Sequence, residues 1–324
     1  MLKGISYYGS HFPEHIQADF KEIKEQGCDY VVLAASEYDI EFYQGSLKTM
    51  VEQAHSKGLK VFIDLWAFGG AFGGEAASFF IGRNPDSCQV SSRDEHLPRA
   101  CFNQQKFQDF IEHTINFCLD YLNLDGFFWD EPHFFKSKTD ESWGCYCQVC
   151  RDKFEQTYHT PMPTDLTPEV ADFRNKSCLT FLQKFSKLIK QKKPNVLISI
   201  CCFPKSKDKY GFDWDEICQI EEIDIFGSDP YWMTKNKDVN YVEEVTKEVV
   251  EVAKRHNKKS EIWIQLFKIP QGREDEIKQA VEYAAKQNPD YISAWTFRAA
   301  QNSVLECGDW KKSWSTLKEA YSHY

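Results

Sequence analysis

The pattern that best indicates the fold is Asp125-Gly126-Phe127-Phe128-Trp129-Asp130-Glu131-Pro132-His133. The apolar run from Phe127 to Trp129 predicts a buried strand, and Pro132 ends it because proline has no N–H to donate to a sheet. Carboxylates are rarely buried without a functional reason. Asp130 and Glu131, at the carboxyl end of this strand, are therefore candidates for acid–base chemistry in a pocket.

Segments of this kind recur along all 324 residues and alternate with amphipathic ones. The predicted strands are residues 4–8, 30–35, 61–66, 126–129, 196–202, 223–227, 261–266 and 291–297. The predicted helices are residues 16–25, 47–56, 107–122, 178–191, 214–220, 241–256, 274–286 and 310–321. Because parallel strands need helical crossovers, this order predicts a (β/α)8 TIM barrel. No break in composition divides the chain, so we expect a single domain over residues 1–324.

Two predicted loops are much longer than the others, residues 67–103 after the third strand and residues 132–165 after the fourth. In a barrel of this type both loops lie at the carboxyl-end face, where such enzymes keep their active sites. The first loop begins with a glycine-rich run, residues 69–74, but lacks the Lys-Ser/Thr pair of a phosphate-binding loop. We therefore expect a flexible rim or lid over a substrate pocket.

The composition excludes several classes of function. The chain is 42% hydrophobic with a net charge of -10, which argues against nucleic acid or an anionic membrane surface as its main partner. No apolar run approaches the roughly 20 residues of a membrane span. The sequence begins without a secretory signal, so its twelve cysteines favour metal ligation in a reducing compartment over disulfides. We expect a cytoplasmic protein.

Three cysteines lie close together in Cys145-Tyr146-Cys147-Gln148-Val149-Cys150. Thiolates at this spacing suit a tetrahedral zinc ion, and Cys101 at the end of the other long loop is the natural fourth ligand. Four thiolates close the coordination shell, so this zinc would be structural and would tie together the loops within residues 67–165. The alternative is that these are free thiols with packing roles.

These residues also carry a family resemblance. The run Arg99-Ala100-Cys101-Phe102-Asn103, the strand that ends in Asp130-Glu131, and the CxCxxC cluster resemble the zinc-bearing β-galactosidases of glycoside hydrolase family 42. The resemblance covers the catalytic barrel alone, without the trailing domains of that family. It implies a retaining glycosidase in which Glu131 is the acid/base and a glutamate ending the seventh strand is the nucleophile. It also implies zinc bound by Cys101, Cys145, Cys147 and Cys150.

The seventh strand departs from that pattern, because Gln265 stands at or beside the expected nucleophile position. We expect a glycoside hydrolase with Glu131 as general acid and a non-standard mechanism. It could invert, with Asp229 or, next, Asp64 as the base for water. It could instead use a 2-acetamido group of the substrate as nucleophile, oriented by Asp130, provided that the strand breaks at Pro132 so that both acids enter the pocket. The alternative is a barrel that binds carbohydrate without cleaving it.

Further side chains at strand ends are candidates for binding this carbohydrate. Sugar rings stack on aromatic planes and need polar partners at their edges. The aromatic candidates are Tyr8, Trp66, Tyr231, Trp232 and Trp295, and the polar ones are Asp64, His133, Gln265 and Arg298. His133 could tune Glu131, and Arg298 could bind a carboxylated or sulfated sugar or neutralise Asp229 or Glu131. The resemblance places Trp295 beneath the sugar, and the sequence leaves the oligomeric state open.

Overall fold

The computed structural model describes residues 1–204 and 213–324. Eight parallel strands close into a barrel in the order β1-β10-β9-β8-β7-β6-β3-β2, and an antiparallel hairpin, β4-β5, lies outside it. The (β/α)8 prediction is confirmed. The strands are β1 Leu2–Tyr7, β2 Tyr30–Ala35, β3 Lys60–Leu65, β4 Cys88–Val90, β5 His96–Ala100, β6 Gly126–Asp130, β7 Leu197–Cys202, β8 Ile225–Ser228, β9 Lys259–Gln265 and β10 Tyr291–Trp295.

Helices surround the barrel. They are α1 Pro13–Glu25, α2 Glu37–Phe42, α3 Gln44–Ser56, α4 Phe79–Arg83, α5 Gln105–Tyr121, α6 Gln148–Tyr158, α7 Pro168–Lys192, α8 Trp214–Cys218, α9 Tyr241–Arg255, α10 Asp275–Lys286 and α11 Trp310–Tyr321. Helix α9 shows why these segments are helical. Its buried valines recur at helical spacing, at 242, 245, 249 and 252, and its first turn is acidic while its last turn is basic. Within the described residues, no helix is long and apolar enough to cross a membrane.

Strand alternation sorts the core into two layers. Phe62, Phe128 and Trp263 pack together inside the barrel, whereas most other buried apolar residues lie between the strands and the helices. Two residues further along β3 and β6, the same inward-facing positions are Asp64 and Asp130. The inward-facing side chains of β3 and β6 are therefore apolar in the middle of the barrel and acidic at the carboxyl ends of the strands.

A different acid, Glu261, lies inside the barrel near the amino ends of the strands and is 2% exposed. Its carboxylate accepts hydrogen bonds from the hydroxyls of Tyr30 (2.6 Å), Ser199 (2.8 Å) and Ser293 (2.9 Å). Because buried polar groups need such partners, this network is a structural feature of the barrel floor. Glu261 is remote from the cavity described below.

The two long loops are folded against each other. The loop after β3 contains α4 and the β4-β5 hairpin, and the loop after β6 leads into α6. Isolated β-bridges join Ser91 to Gly144 and Lys136 to Trp143. The sequence predicted neither the hairpin nor α6, but it did predict the two long loops in which they lie.

Candidate active site

A two-part cavity opens at the carboxyl ends of the barrel strands. Its inner compartment has a volume of about 90 Å³, and an outer groove of about 930 Å³ continues from it. Side chains shared by both parts include Glu131, Asp229, Tyr231 and Phe267. The inner compartment is lined by Gly74, Glu75, Phe128, Asp130, Glu131, Cys201, Asp229, Tyr231, Trp263, Phe267, Trp295 and Leu305.

Asp130 and Glu131 both reach this cavity although they are adjacent in sequence. Strand β6 ends at Asp130, and Glu131 has a φ of +42°, a left-handed conformation that is uncommon outside glycine. The Glu131 N–H still donates to the Cys201 carbonyl at 3.0 Å, so the turn starts directly from the sheet. Backbone conformations of this kind cluster at functional sites, because they redirect a side chain at an energetic cost.

Glu131 and Asp229 form a coupled pair of acids. Each side chain acts on the pKa of the other, and one oxygen of each carboxyl group is buried without a partner among the described residues. Burial, followed by the charges of Asp229 and Asp130, holds the pKa of Glu131 well above its usual range. Burial also raises the pKa of Asp229, to about 6. These shifts favour the protonated form of Glu131, and Asp229 is the more readily ionised acid of the pair.

Asp130 and Asp64 extend this acidic cluster. Burial, and then the charges of Asp229 and Glu75, raise the pKa of Asp130 to about 8. Asp64 is fully buried, neither of its oxygens has a partner among the described residues, and burial beside Asp130 holds its pKa well above the usual value. Since Asp64 does not line the described cavity, it is a neutral buried acid beneath Asp130.

We expect this cluster to destabilise the folded chain as the pH rises. Folded Asp130 binds its proton up to pH about 8, whereas an unfolded aspartate releases it near pH 4. The free energy of unfolding therefore falls as the pH rises through this interval. Asp130→Asn should raise that free energy at pH 8 by about 1–3 kcal/mol, a usual size for single substitutions, and change it little at pH 4. Urea unfolding at both pH values measures this, and an equal effect at both would contradict it.

The glycine-rich run of the first long loop packs directly over Asp130. A Cβ atom at Gly73 would lie 2.3 Å from Oδ2 of Asp130, and one at Gly74 would lie 2.1 Å from Nε1 of Trp66. The Gly73 N–H also donates to the Asp130 carbonyl at 2.8 Å, and its carbonyl accepts from Ala67. Glycine is needed here because the loop backbone approaches so closely. The run therefore covers the site and is hydrogen-bonded to it at Gly73.

Aromatic rings form one wall at the carboxyl end. The ring of Tyr8 stacks on that of Trp66 at 5.2 Å, and both contact Trp295, at 5.7 Å and 6.4 Å. Trp295 in turn contacts Trp263 at 6.3 Å. Trp295, Trp263 and Tyr231 line the inner compartment. Among the predicted binding residues, Trp295 and Tyr231 therefore face the cavity, and Tyr8 and Trp66 back Trp295.

Three predicted binding residues are engaged elsewhere. The Gln265 amide accepts a hydrogen bond from the Met233 N–H at 3.0 Å and donates to the Phe267 carbonyl at 2.9 Å, so it braces two loops. Trp232 is fully buried and donates to Glu276 on α10. Arg298 donates to Glu22 on α1, which corrects the expectation that it neutralises Asp229 or Glu131.

His133 supports the backbone of Glu131. Nδ1 of His133 lies 2.6 Å from the Glu131 carbonyl, and Nη1 of Arg99 lies 2.7 Å from Nε2 of His133. Because the guanidinium group can only donate, Nε2 must accept and Nδ1 carries the proton. The ring of His133 also lines the outer groove. Its contact with Glu131 is made through the backbone carbonyl of that residue and not through its carboxyl group.

Other lining residues were not predicted from the sequence. They are Glu75, Phe128, Cys201, Trp263, Phe267 and Leu305. Trp263 could have been found, since alternation places it on the same face of β9 as Gln265. Phe267, Leu305 and Glu75 come from loops whose path only the folded chain defines.

The four predicted metal ligands are brought together. The sulfur atoms of Cys101, Cys145, Cys147 and Cys150 all lie within 4.8 Å of one another and are buried. The Sγ atom of Cys101 lies 3.4 Å from that of Cys150 and 3.9 Å from that of Cys147. Tetrahedral zinc with Zn–S bonds of about 2.3 Å places sulfur atoms about 3.8 Å apart. The donor set and its dimensions therefore fit a zinc ion, and this cluster could hold a metal.

A buried cation accompanies the thiol cluster. Arg174 on α7 is 2% exposed, and burial lowers the pKa of its guanidinium group, whereas negative charge on Cys145 and Cys150 of the cluster opposes that shift by favouring the positively charged form. Its guanidinium donates to the carbonyls of Gly144 (2.6 Å) and Phe135 (3.0 Å). A tetrathiolate–zinc centre would carry two net negative charges, and the positive charge of Arg174 beside it would offset part of them. The same side chain holds the loop that begins at His133.

The fold and the site define the chain as a TIM barrel with a cluster of buried acids at the carboxyl ends of its strands, and a comparison with known families identifies its family. The chain belongs to the Glycosyl hydrolase-like 10 family, whose model matches residues 39–285. The match supports the glycosidase barrel that the sequence motifs indicated. A search of curated protein sequences found no significant match.

Solved structures share the barrel at low sequence identity. A β-galactosidase from the Antarctic haloarchaeon Halorubrum lacusprofundi is 13% identical, with a TM-score of 0.74 over 99% of this chain and 58% of that one. A family 42 β-galactosidase from G. stearothermophilus is 11% identical, with a TM-score of 0.74 over 99% and 56%. An endo-1,4-β-D-mannanase from Thermotoga petrophila is 11% identical, with a TM-score of 0.68 over 100% and 99%. At this identity the matches establish the fold. The chain spans little more than half the length of the two β-galactosidases.

Proposed function

We propose that this chain is a glycoside hydrolase in which Glu131 is the general acid. The observation that carries the proposal is the setting of Glu131: its carboxyl group lines the cavity, one of its oxygens has no partner among the described residues, and burial together with Asp229 holds its pKa well above the usual range. A general acid needs its proton and access to the leaving oxygen. Membership of a glycosyl hydrolase-like family supports the same reaction class.

The nucleophile is best supplied by the substrate. Gln265 cannot form a glycosyl ester, and its amide is engaged at both ends. The side chains of Asp229 and Glu131 are close enough to act directly on each other's pKa, whereas the two carboxyls of an inverting pair stand about 6.5–9.5 Å apart with a water between them. Asp64, the other candidate base, lies outside the cavity lining. These observations favour a 2-acetamido sugar over the inverting alternative.

The steps of this mechanism follow from the two adjacent acids. The acetamido oxygen attacks C1, the bond from C1 to the leaving oxygen breaks, and Glu131 gives its proton to that oxygen. An oxygen of the Asp130 carboxyl group accepts a hydrogen bond from the acetamido N–H and so orients the attacking group, and no proton leaves Asp130 in this step. Water then attacks C1, Glu131 takes the water proton, and the acetamido group is restored. Two displacements at C1 leave the anomeric configuration unchanged.

We also propose zinc as the metal of the cysteine cluster, bound by Cys101, Cys145, Cys147 and Cys150. A closed tetrathiolate site supplies no Lewis acid to a substrate, so zinc would hold the loops around the cavity together. Arg174 and Asn103 support that role, since the Asn103 N–H donates towards Cys101 at 3.4 Å and its side-chain amide donates towards Cys150. We also propose that residues 1–324 form a single domain.

A matched pair of substrates tests the proposed nucleophile. We expect aryl N-acetyl-β-glucosaminide or N-acetyl-β-galactosaminide to be cleaved, and the corresponding aryl β-glucoside and β-galactoside to be cleaved at least about 100-fold more slowly, because they carry no internal nucleophile. Release of the aryl group is the readout. Equal rates on both kinds of substrate would contradict substrate assistance while leaving Glu131 as the acid.

One observation favours a second function. The engaged amide of Gln265 leaves the end of β9 without a carboxylate, as expected for a barrel that binds sugar without cleaving it. Saturable binding of the 2-acetamido glycosides, with no turnover on any of these substrates, would select that alternative.

A further inference from the structure

The outer groove of the candidate active site carries a cluster of basic side chains although the chain has a net charge of -10. The groove measures about 930 Å³ and begins at Glu131 and Asp229. Cationic or ionisable basic side chains that line it are Arg99, His133, Lys136, Lys138 and Lys235. A cluster of basic side chains beside an acidic pocket is not explained by the cleavage chemistry, since Glu131 needs only its own proton.

The basic residues converge from separate loops. Arg99 lies on β5 in the loop after β3, Lys136 and Lys138 follow β6, and Lys235 follows β8. Within residues 1–204 and 213–324, the ammonium groups of these three lysines form no ion pair with a carboxylate. Glu75, Glu131 and Asp229 also line the groove, so its four cationic side chains outnumber its three acids by one. An excess of positive charge in a cleft attracts anionic ligands.

The groove also offers rings for a carbohydrate chain. Phe72, Phe135, Phe203 and Phe267 line it, and the ammonium group of Lys235 lies 5.6 Å from the centre of the Phe203 ring. Aromatic faces beside cations suit a sugar that carries an acidic substituent, because the ring stacks while its charge is paired.

The position of Glu131 assigns this groove to the leaving group. Trp263 and Trp295 line only the inner compartment, which suits the sugar that is attacked, and Glu131 stands where the two parts meet. The general acid protonates the oxygen between the two sugars. We infer that the leaving part of the substrate is an anionic sugar, carboxylated or sulfated, bound by Lys136, Lys138 and Lys235. The assignment of the groove to the leaving part of the carbohydrate rests on the proposed role of Glu131 as general acid.

Calorimetric binding to the Glu131→Gln variant tests the inference without turnover. The probes are three tetrasaccharides that contain 2-acetamido sugars: neutral chitotetraose, carboxylated hyaluronan and sulfated chondroitin. We expect at least about tenfold tighter binding of an anionic probe at low salt, and a smaller difference at 0.5 M NaCl because salt screens exposed charges. Tighter binding of hyaluronan alone would identify the carboxylate, and tighter binding of chondroitin sulfate alone would identify the sulfate.

Charge reversal supplies the second arm. Changing Lys136, Lys138 and Lys235 together to glutamate should bring the ratio of anionic to neutral affinity close to one. Changing the same three lysines to glutamine should give an intermediate ratio. Because glutamine adds no negative charge, that variant shows whether the loss of preference is due to charge and not to misfolding. Lys187→Glu, on the exposed face of α7, is the control and should keep the full ratio. Equal affinity for all three probes, or a ratio unchanged in the triple variant, would overturn the inference. Absence of turnover in the wild-type protein, with the preference intact, would instead count against the proposed function.

Discussion

Glu131→Gln should lower turnover of a 2-acetamido glycoside by about 10²–10⁴-fold, the usual contribution of a general acid. The glutamine keeps the size of the side chain but has no proton to give to the leaving oxygen. Burial and the charge of Asp229 hold that proton on Glu131 in the native protein. Initial rates measured on an aryl glycoside and on a natural oligosaccharide provide the comparison.

The two substrates separate acid catalysis from other effects. An aryl group with a good leaving oxygen needs little protonation, so the loss in turnover should be smaller for it than for the oligosaccharide. Glu52→Gln, on the exposed side of α3, is the matched control and should leave both rates unchanged. A Glu131→Gln variant with the wild-type rate on the oligosaccharide would remove Glu131 from the mechanism.

Cys147→Ser should abolish stoichiometric zinc binding and lower the melting temperature by about 5–10 °C, which corresponds to a few kcal/mol in a chain of this size. The thiolates of Cys101, Cys145 and Cys150 would remain, but serine is a poor fourth ligand for a site that fits four sulfur atoms. Metal analysis of protein expressed with sufficient zinc, and calorimetric melting with and without a chelator, measure both effects.

A buried cysteine outside the cluster provides the control for this experiment. Cys118→Ser, on α5, introduces the same hydroxyl into an apolar site and should lower stability while the zinc content stays at one ion per chain. The Cys147→Ser protein should also show increased proteolysis within residues 67–165, because the two long loops lose their common tie. Wild-type protein that contains no zinc after expression with sufficient zinc would contradict the proposed zinc site.

The fold could be predicted because buried parallel strands are continuous apolar runs in the sequence. Residues 30–35 form β2 with the predicted bounds, and the other barrel strands differ by a few residues at their ends. The β4-β5 hairpin could not be predicted in this way. It is short and lies outside the barrel, and Pro98 within β5 is unusual for a strand.

The acids of the site could be predicted, whereas their arrangement could not. Asp130, Glu131 and Asp229 were found because they follow apolar strands, a purely local signal. The coupling of Glu131 to Asp229 and the left-handed backbone at Glu131 are features of the folded chain that the local sequence does not show. It is this coupling that argues against the inverting pair.

The residues that proved to be engaged elsewhere have partners far along the chain. Arg298 pairs with Glu22, 276 residues away, and Gln265 is bonded to Met233 in a neighbouring loop. Alternation correctly gives the face on which a side chain lies, but it does not give the partner that meets it there. The thiol cluster was predictable despite its two separate segments, because only a few residue types bind zinc tightly.

The central claim is that Glu131 drives cleavage with a nucleophile supplied by the substrate, and the configuration of the first sugar released tests it most directly. We would follow hydrolysis of a 2-acetamido oligosaccharide by proton NMR within the first minutes, before mutarotation mixes the anomers. The account predicts that the released sugar first appears with the same anomeric configuration as the bond that was cleaved, and that Glu131→Gln releases none. Initial release of the opposite anomer would contradict the account and require a separate base for water.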